Sequence, residues 1–121
     1  MVQAKNEGYL GNNLIKRAGV ETTYTEEQLQ EYQKCSSDPV HFIEKYTQII
    51  SLDEGLVPFN LRGYQEDMIN HFNDNRFSVV LAARQSGKSI TSCAYLLWYL
   101  LFTPEVTVAI LANKGAIARE M

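Results

Sequence analysis

Cysteine, proline and long apolar runs are all scarce in this chain of 121 residues. The two cysteines, Cys35 and Cys93, lie far apart without metal-ligand spacing, and Cys93 falls in an apolar run, as a buried thiol does. A reducing cytosol is therefore the simpler interpretation. The longest apolar run, residues 94–102, is too short to cross a bilayer, and the first residues lack the apolar core of a signal peptide. We expect a soluble, intracellular protein.

A surplus of positive charge is also absent, since the chain has 11 lysines and arginines against 14 aspartates and glutamates, which gives a net charge of −3. Proteins that clamp nucleic acid usually carry a basic surplus, so the charge argues against this chain as the main clamp and leaves room only for a local basic patch. The composition, 45% hydrophobic and 21% charged, is that of a globular protein that buries a core. The length fits one small domain or part of a larger one.

Residues 79–89 read VVLAARQSGKS, an apolar run of β type that leads into a phosphate-binding pattern. Gly87 lets the backbone approach a phosphate, Lys88 offers a charge to the β- and γ-phosphates, and Ser89 offers a hydroxyl to Mg²⁺. The helix expected to begin here adds unpaired N–H groups and a positive dipole end. Ala82 stands where the full pattern G-x-x-x-x-G-K-[ST] has its first glycine. The alternative is a plain turn, but strand, loop and helix follow in the order that the motif requires.

The segment before this loop predicts an arm and two helices. Residues 1–23 are polar and glycine-spaced and predict a flexible N-terminal arm. Its Lys16 and Arg17 form a solvated face in the interpretation that we favour, and the alternative is that they contact DNA or a partner. A capping box that begins at Thr25 predicts a helix to about residue 34. An N-cap at Asp38, followed by proline, predicts a second helix to about residue 46. His41 in its first turn has no partner cluster in the sequence, which indicates a structural or exposed residue.

The remaining periodicity predicts an α/β arrangement. Residues 47–52 predict a short strand that ends in a turn, and an apolar stripe predicts a helix through Leu61, Tyr64, Met68 and Phe72. Residues 89–102 predict a helix that is apolar on nearly all sides and must be covered on most of them, and residues 106–112 predict an apolar strand. A further helix is expected from about Lys114. Strand, crossover helix and strand at this spacing predict parallel strands in a right-handed βαβ unit, buried on both faces.

Three stretches, LRGYQEDMI, LAARQSGKS and VAILANKG, resemble the N-terminal part of the ATPase domain in large terminase subunits of T-even-type tailed phages. The resemblance covers residues 24–121, and the run from Ala83 to Ser89 matches the variant Walker A loop of that family. It implies an α/β fold: an incomplete P-loop NTPase of the ASCE, helicase-like class, with a parallel sheet, flanking helices and an N-terminal helical segment. The chain would stop before the Walker B carboxylates.

The resemblance also implies roles for individual residues. Arg84 would be a cis-acting arginine for charge on the γ-phosphate, with simple ground-state attraction to phosphate as the alternative. Gln65 would read the adenine edge, and its alternative is a solvated helix residue. Ser89 would hold Mg²⁺. The residues expected to bind the nucleotide are Gln65, Ala83, Gln85, Ser86, Gly87, Lys88 and Ser89, with Arg84 and Lys88 as the catalytic pair. The segment from Ala112 to Gly115 would either hold a DNA backbone phosphate or begin a helix.

By the same resemblance, the chain would be the ATP-binding segment of a packaging ATPase that couples ATP hydrolysis to translocation of double-stranded DNA into a procapsid. Its partners would be DNA, the phage portal ring, the small terminase subunit and further copies on the portal, in the host cytoplasm and not at a membrane. The isolated chain is expected to lack turnover. Two alternatives stay open: another helicase-like P-loop ATPase, and a non-hydrolysing fragment that acts through nucleotide binding or protein contact.

Overall fold

Five helices and one two-stranded sheet make up the part of the chain that this computed structural model describes, namely residues 9–12, 15, 16, 18, 19, 21, 23–112 and 114–120. The helices are α1 (Glu26–Ser37), α2 (Pro39–Tyr46), α3 (Gly63–Asp74), α4 (Lys88–Phe102) and α5 (Gly115–Glu120), and the strands are β1 (Gln48–Ser51) and β2 (Gly55–Pro58). Much of the predicted arm, including Arg17, lies outside the described residues. Lys16 lies inside them, and its ammonium group donates to the hydroxyl of Tyr24 at 3.4 Å.

Local capping chemistry starts the first two helices as predicted. The hydroxyl of Thr25 accepts from the amide of Gln28 at 3.3 Å, and the Gln28 side chain accepts from the amide of Thr25 at 3.0 Å. A carboxylate oxygen of Asp38 accepts from the amide of His41 at 3.1 Å, and Pro39 occupies the first turn of α2. The backbone amide of Asp38 also donates to the carbonyl of Lys34 at 3.0 Å. Asp38 therefore both ends α1 and begins α2, which fixes a sharp corner between them.

The predicted strand at residues 47–52 is confirmed as β1, but its partner β2 was not predicted. The two strands pair antiparallel, with Gln48 opposite Pro58 and Ser51 opposite Gly55. Gly55 begins β2 with φ +76°, a conformation that glycine adopts without steric penalty. Pro58 at the other end of β2 has no backbone N–H to donate, which makes a segment that contains it a weak candidate for a strand in sequence.

The buried core lies where α2, α3 and α4 meet the end of β2. Its members are Ile43, Ile69 and Ala94 from the three helices and Phe59, which directly follows β2. The helix predicted from the apolar stripe is confirmed as α3, but a different face of it is buried. Ile69 and Gln65 are the buried residues of α3, whereas Tyr64 of the predicted stripe is exposed.

Helix α4 is confirmed, but its apolar surface is only partly covered. Leu97, Leu100 and Leu101 are all exposed in the described part of the chain. Its inner side holds Trp98, which is buried and donates its indole N–H to the carbonyl of Cys35 at 2.7 Å. None of the described helices has both the length and the apolar character that a bilayer span requires.

The predicted parallel sheet is wrong, and with it the assignment to an incomplete P-loop NTPase fold of the ASCE, helicase-like class. The sheet in the described residues contains β1 and β2 alone, and they are antiparallel. Residues 78–83 and 106–112 have no regular secondary structure, and Val79 and Leu111 are 95% and 93% exposed. A strand exists only when a neighbouring backbone completes its hydrogen bonds, and neither run pairs with the other or with β1 and β2. An apolar sequence alone does not supply that neighbour.

Candidate functional site

The loop that precedes α4 contains two residues in the left-handed backbone region. Gln85 has φ +61° and Gly87 has φ +77°, with Ser86 between them. Glutamine rarely adopts such an angle, and strained backbone of this kind concentrates at functional sites. Alternation of this sort is found in turns whose successive N–H groups face one concavity that suits an anion. The loop is therefore shaped by its backbone rather than by an apolar core.

Lys88 opens α4 and points its ammonium group back into the loop. The nitrogen donates to the carbonyl of Ala83 at 3.1 Å, with the carbonyl of Ala82 at 3.5 Å. The hydroxyl of Ser86 donates to the same Ala83 carbonyl at 2.8 Å and closes the loop. Two carbonyl groups of the loop thus hold a positive charge at the place where a phosphate would be recognised.

No side chain among the described residues caps the N-terminus of α4, and its N-cap residue, Gly87, has no side chain to do so. The first backbone bond of the helix runs from the amide of Thr91 to the carbonyl of Gly87 at 3.0 Å. The amide groups before it have no acceptor within the helix, and they add to the positive end of its dipole. Ser89 lies in this first turn with its side chain exposed to solvent.

Two consecutive residues at the start of α3 hold this loop in place. The hydroxyl of Tyr64 donates to the carbonyl of Ser86 at 2.6 Å. The side-chain amide of Gln65 donates to the hydroxyl of Thr91 at 2.9 Å, and that hydroxyl donates to the carbonyl of Gly87 at 2.9 Å. A Cβ atom added at Gly87 would lie 2.8 Å from the Gln65 nitrogen. The loop, α3 and α4 therefore form one hydrogen-bonded unit.

Gln65 lies beside the loop, but its amide is already engaged. It is 5% exposed, and its oxygen accepts from the backbone amide of Arg62 at 2.9 Å while its nitrogen bonds Thr91. The alternative of a solvated helix residue is therefore wrong. The adenine-reading role stays a prediction, and it requires the amide to leave these partners.

Sequence reasoning missed Tyr64 and Thr91 as parts of this site. Thr91 stands one turn after Gly87, among the polar residues that begin a helix whose later part is apolar, and this position was the available signal. Tyr64 gave no such signal, because it fitted the apolar stripe of its helix.

The other predicted site residues are placed differently. The side chains of Ala83, Arg84 and Gln85 are exposed on the loop, and Arg84 makes no hydrogen bond or ion pair with any residue that the structure describes. Asn113 lies outside the described residues. Next to it, the carbonyl of Lys114 accepts from the amide of Ile117 at 3.1 Å and begins α5, so the helix-start alternative is confirmed for this segment.

The residues expected to bind nucleotide thus meet around one helix start, although the sheet expected beneath them is not formed. Gly87, Lys88 and Ser89 lie at the start of α4, and Gln65 contacts this helix from α3. No model of a known protein family matches the chain.

Proposed function

We propose that the loop at residues 83–89 binds the phosphates of ATP together with Mg²⁺. The observation that carries this proposal is the uncapped start of α4, where left-handed Gly87 ends the loop and Lys88 begins the helix. Unpaired amide groups, a positive dipole end and an ammonium group converge there, and each favours an anion. The proposal depends on this junction and not on a parallel sheet.

The residues at the junction fit the two parts of a nucleotide–metal complex. Phosphate oxygens form stronger, charge-assisted bonds than neutral carbonyls do, so we expect the ammonium group of Lys88 to turn from Ala83 to the phosphates. Mg²⁺ is usually held by few protein oxygens together with phosphate oxygens and water. The exposed hydroxyl of Ser89 meets that requirement. Arg84 has no partner among the described residues and lies on the same loop, and we expect it to offset charge on the γ-phosphate.

Nucleotide binding is tested by titrating the chain with a fluorescent ATP analogue in the presence of Mg²⁺. Lys88→Ala is expected to weaken binding at least about tenfold, because one charge-assisted contact to phosphate is lost. Lys34→Ala is the matched control. Lys34 is exposed on the last turn of α1, so this substitution removes the same charge at a position away from the loop. Equal affinity of the two variants, or no binding by the unaltered chain, would contradict the proposal.

We further propose, from the resemblance of the three motifs, that the chain is the ATP-binding segment of a terminase large subunit in a phage-infected host cytoplasm. Hydrolysis of ATP would then drive translocation of double-stranded DNA, with the portal ring and the small terminase subunit as partners. The Arg84-Gln85 pair ahead of Gly87 supports a terminase over other helicase-like ATPases. The order of these motifs alone supports the DNA-linked role. The net charge of −3 does not support it, because proteins that bind nucleic acid usually carry a basic surplus.

The packaging role is tested on the full-length terminase large subunit that would contain this segment, because the isolated chain is expected to lack turnover. ATP turnover is measured with and without double-stranded DNA and purified portal rings. Stimulation of turnover by both together supports the packaging motor. ATP binding without any turnover supports the non-hydrolysing alternative and contradicts the motor. Turnover that responds to single-stranded DNA or RNA and ignores portal rings favours the helicase-like alternative.

A further inference from the structure

A second cluster of reactive side chains lies at the corner between α1 and α2, away from the loop. One carboxylate oxygen of Glu31 lies 2.9 Å from the Nε2 atom of His41 and 2.8 Å from the ammonium nitrogen of Lys45. The thiol of Cys35 and the hydroxyl of Tyr46 lie 3.6 Å and 3.1 Å from the same oxygen. His41, which the sequence indicated to be without a partner cluster, thus has one.

Ordinary helix geometry explains why these side chains meet. Glu31 and Cys35 are four residues apart on α1 and share one face of it. Asp38 ends α1 and begins α2, so the chain turns back within one residue and His41 in the first turn of α2 faces the same side. The spacing of the cysteines could not reveal the cluster, because it contains one cysteine only and its histidine lies on a different helix from Glu31 and Cys35.

We propose that Glu31, Cys35 and His41 bind a divalent metal ion of the zinc class. A thiolate, an imidazole and a carboxylate are the three ligand types that Zn²⁺ prefers. Their ligand atoms already lie within 4.8 Å of one another. Zn²⁺ bonds of about 2.0–2.3 Å in a tetrahedron separate the ligand atoms by about 3.3–3.6 Å, so only small side-chain movements are required.

The charges of the cluster also balance around such an ion. Cys35 would give up its thiol proton to solvent, and its thiolate together with the Glu31 carboxylate offsets the two positive charges of the metal. His41 binds as the neutral imidazole. The ammonium group of Lys45 already places a cation against Glu31, and its side chain is half-exposed, so it can leave toward solvent when the metal arrives.

The surroundings leave the ion a route in and room for a fourth ligand. Glu31 and Cys35 line an open cavity of about 490 Å³, which has room for a water molecule at the fourth position. Tyr46 lines the same cavity and donates to Glu31, as residues around a metal site commonly do to orient a ligating carboxylate. The bound ion would tie α1 to α2 at the corner.

The test is a Co²⁺ titration of the reduced chain in the absence of ATP, since nucleotide also binds metal. Co²⁺ is a spectroscopic substitute for Zn²⁺ and shows a thiolate-to-metal absorption band when cysteine ligates it. We expect the band to saturate at one equivalent, to disappear when Zn²⁺ is added, and to be accompanied by proton release. A chain that gives no thiolate band, or a band that Zn²⁺ does not displace, overturns the proposal.

The chain supplies its own matched controls, because it has two cysteines and two histidines. Cys35→Ser and His41→Gln are expected to weaken binding at least about tenfold, whereas Cys93→Ser and His71→Gln are expected to leave it unchanged. Cys35 is buried and its variant could fail to fold, so His41→Gln, at a partly exposed residue, is the decisive one. Lys45→Met removes the competing cation and should tighten binding a few-fold. Equal effects of His41→Gln and His71→Gln contradict the site, and so does weaker binding by Lys45→Met.

The two proposals are separable. The metal titration uses no nucleotide, and Lys88→Ala leaves the Glu31 cluster intact. Failure of one experiment therefore does not imply failure of the other.

Discussion

The side-chain amide of Gln65 and the hydroxyl of Thr91 are joined by a hydrogen bond of 2.9 Å inside the protein, across 26 positions of sequence. The hydroxyl of Thr91 donates in turn to the carbonyl of Gly87, and the side-chain oxygen of Gln65 accepts from the backbone amide of Arg62. Every member of this series has a defined role as donor or acceptor. The conformation of the loop is therefore coupled to the start of α3, and substitutions in the series should alter both stability and phosphate binding.

Thr91→Val should lower the free energy of unfolding by about 1–3 kcal/mol, because it leaves the side-chain nitrogen of the buried Gln65 without its acceptor, whereas the Gly87 carbonyl keeps its bond from the backbone amide of residue 91. Thr91→Ser keeps the hydroxyl and should recover most of the loss. Thr107→Val is the matched surface control, since Thr107 is exposed. Urea denaturation measures all three. A Thr91→Val chain as stable as the unaltered chain would show that the hydrogen-bond series contributes nothing.

Gly87→Ala should destabilise the chain by about 1–3 kcal/mol, because alanine is strained at φ +77° and its Cβ would press on the Gln65 nitrogen. Gly63→Ala is the comparison: Gly63 has no positive φ, and a Cβ atom there would meet no atom of the described residues within 4 Å. That change should be neutral or stabilising by up to about 1 kcal/mol. Thermal or urea unfolding distinguishes the two, and equal effects would refute the strain at Gly87.

Tyr64→Phe should weaken nucleotide binding with little loss of stability. The hydroxyl of Tyr64 holds the Ser86 carbonyl at 2.6 Å, but the ring is exposed, so the folded state depends on it only slightly. We expect the free energy of unfolding to fall by about 0.5–1 kcal/mol at most. Tyr32→Phe, at an exposed tyrosine of α1, is the control. Isothermal titration with ATP and Mg²⁺ measures the affinity, and an unchanged value argues against a supporting role for Tyr64.

Stability of the metal-free chain should fall as the pH drops below about 4.5. Hydrogen bonds from Lys45, His41 and Tyr46 lower the pKa of the Glu31 carboxyl from 4.5 to about 2, although burial acts in the opposite direction and raises it. Because this pKa is lower in the folded chain, the unfolded chain takes up the proton first. The stabilisation is complete above about pH 4.5 and is lost as the pH falls toward about 2.

The measurement is urea unfolding at a series of acid pH values with a chelator present. Glu31→Gln should reduce the dependence on pH in this window. Glu54→Gln, in the exposed turn between β1 and β2, removes the same charge elsewhere and serves as the control. The same slope for Glu31→Gln and for the unaltered chain would exclude Glu31 as its source.

Local chemistry was predictable from the sequence, and non-local partners were not. The capping box at Thr25 and the N-cap at Asp38 depend on residues three positions apart, so the starts of α1 and α2 followed from sequence. Helix α4 followed from its length and apolar character. The run at residues 78–83 has the composition of a buried strand, but a strand also requires a neighbour, and no sequence pattern guarantees one.

The candidate sites divide in the same way. Gly87, Lys88 and Ser89 were recognisable because phosphate binding places them side by side in sequence. The buried side chain of Gln65 bonds to Thr91, which is 26 positions away, and His41 bonds to Glu31 on the preceding helix. Neither pairing was apparent from the sequence. A polar residue on a helix looks the same in sequence whether it faces solvent or a hidden partner.

Trp98 gives this protein a built-in optical reporter. It is the only tryptophan in the chain, it lies on the helix that begins at Lys88, and its indole is bonded to the backbone of Cys35. Emission from this single ring can be followed without attaching a dye or altering a residue. A shift in its intensity or wavelength would register motion at the corner of α1 and α2, so each of the two proposed ligands can be titrated against the same intrinsic signal.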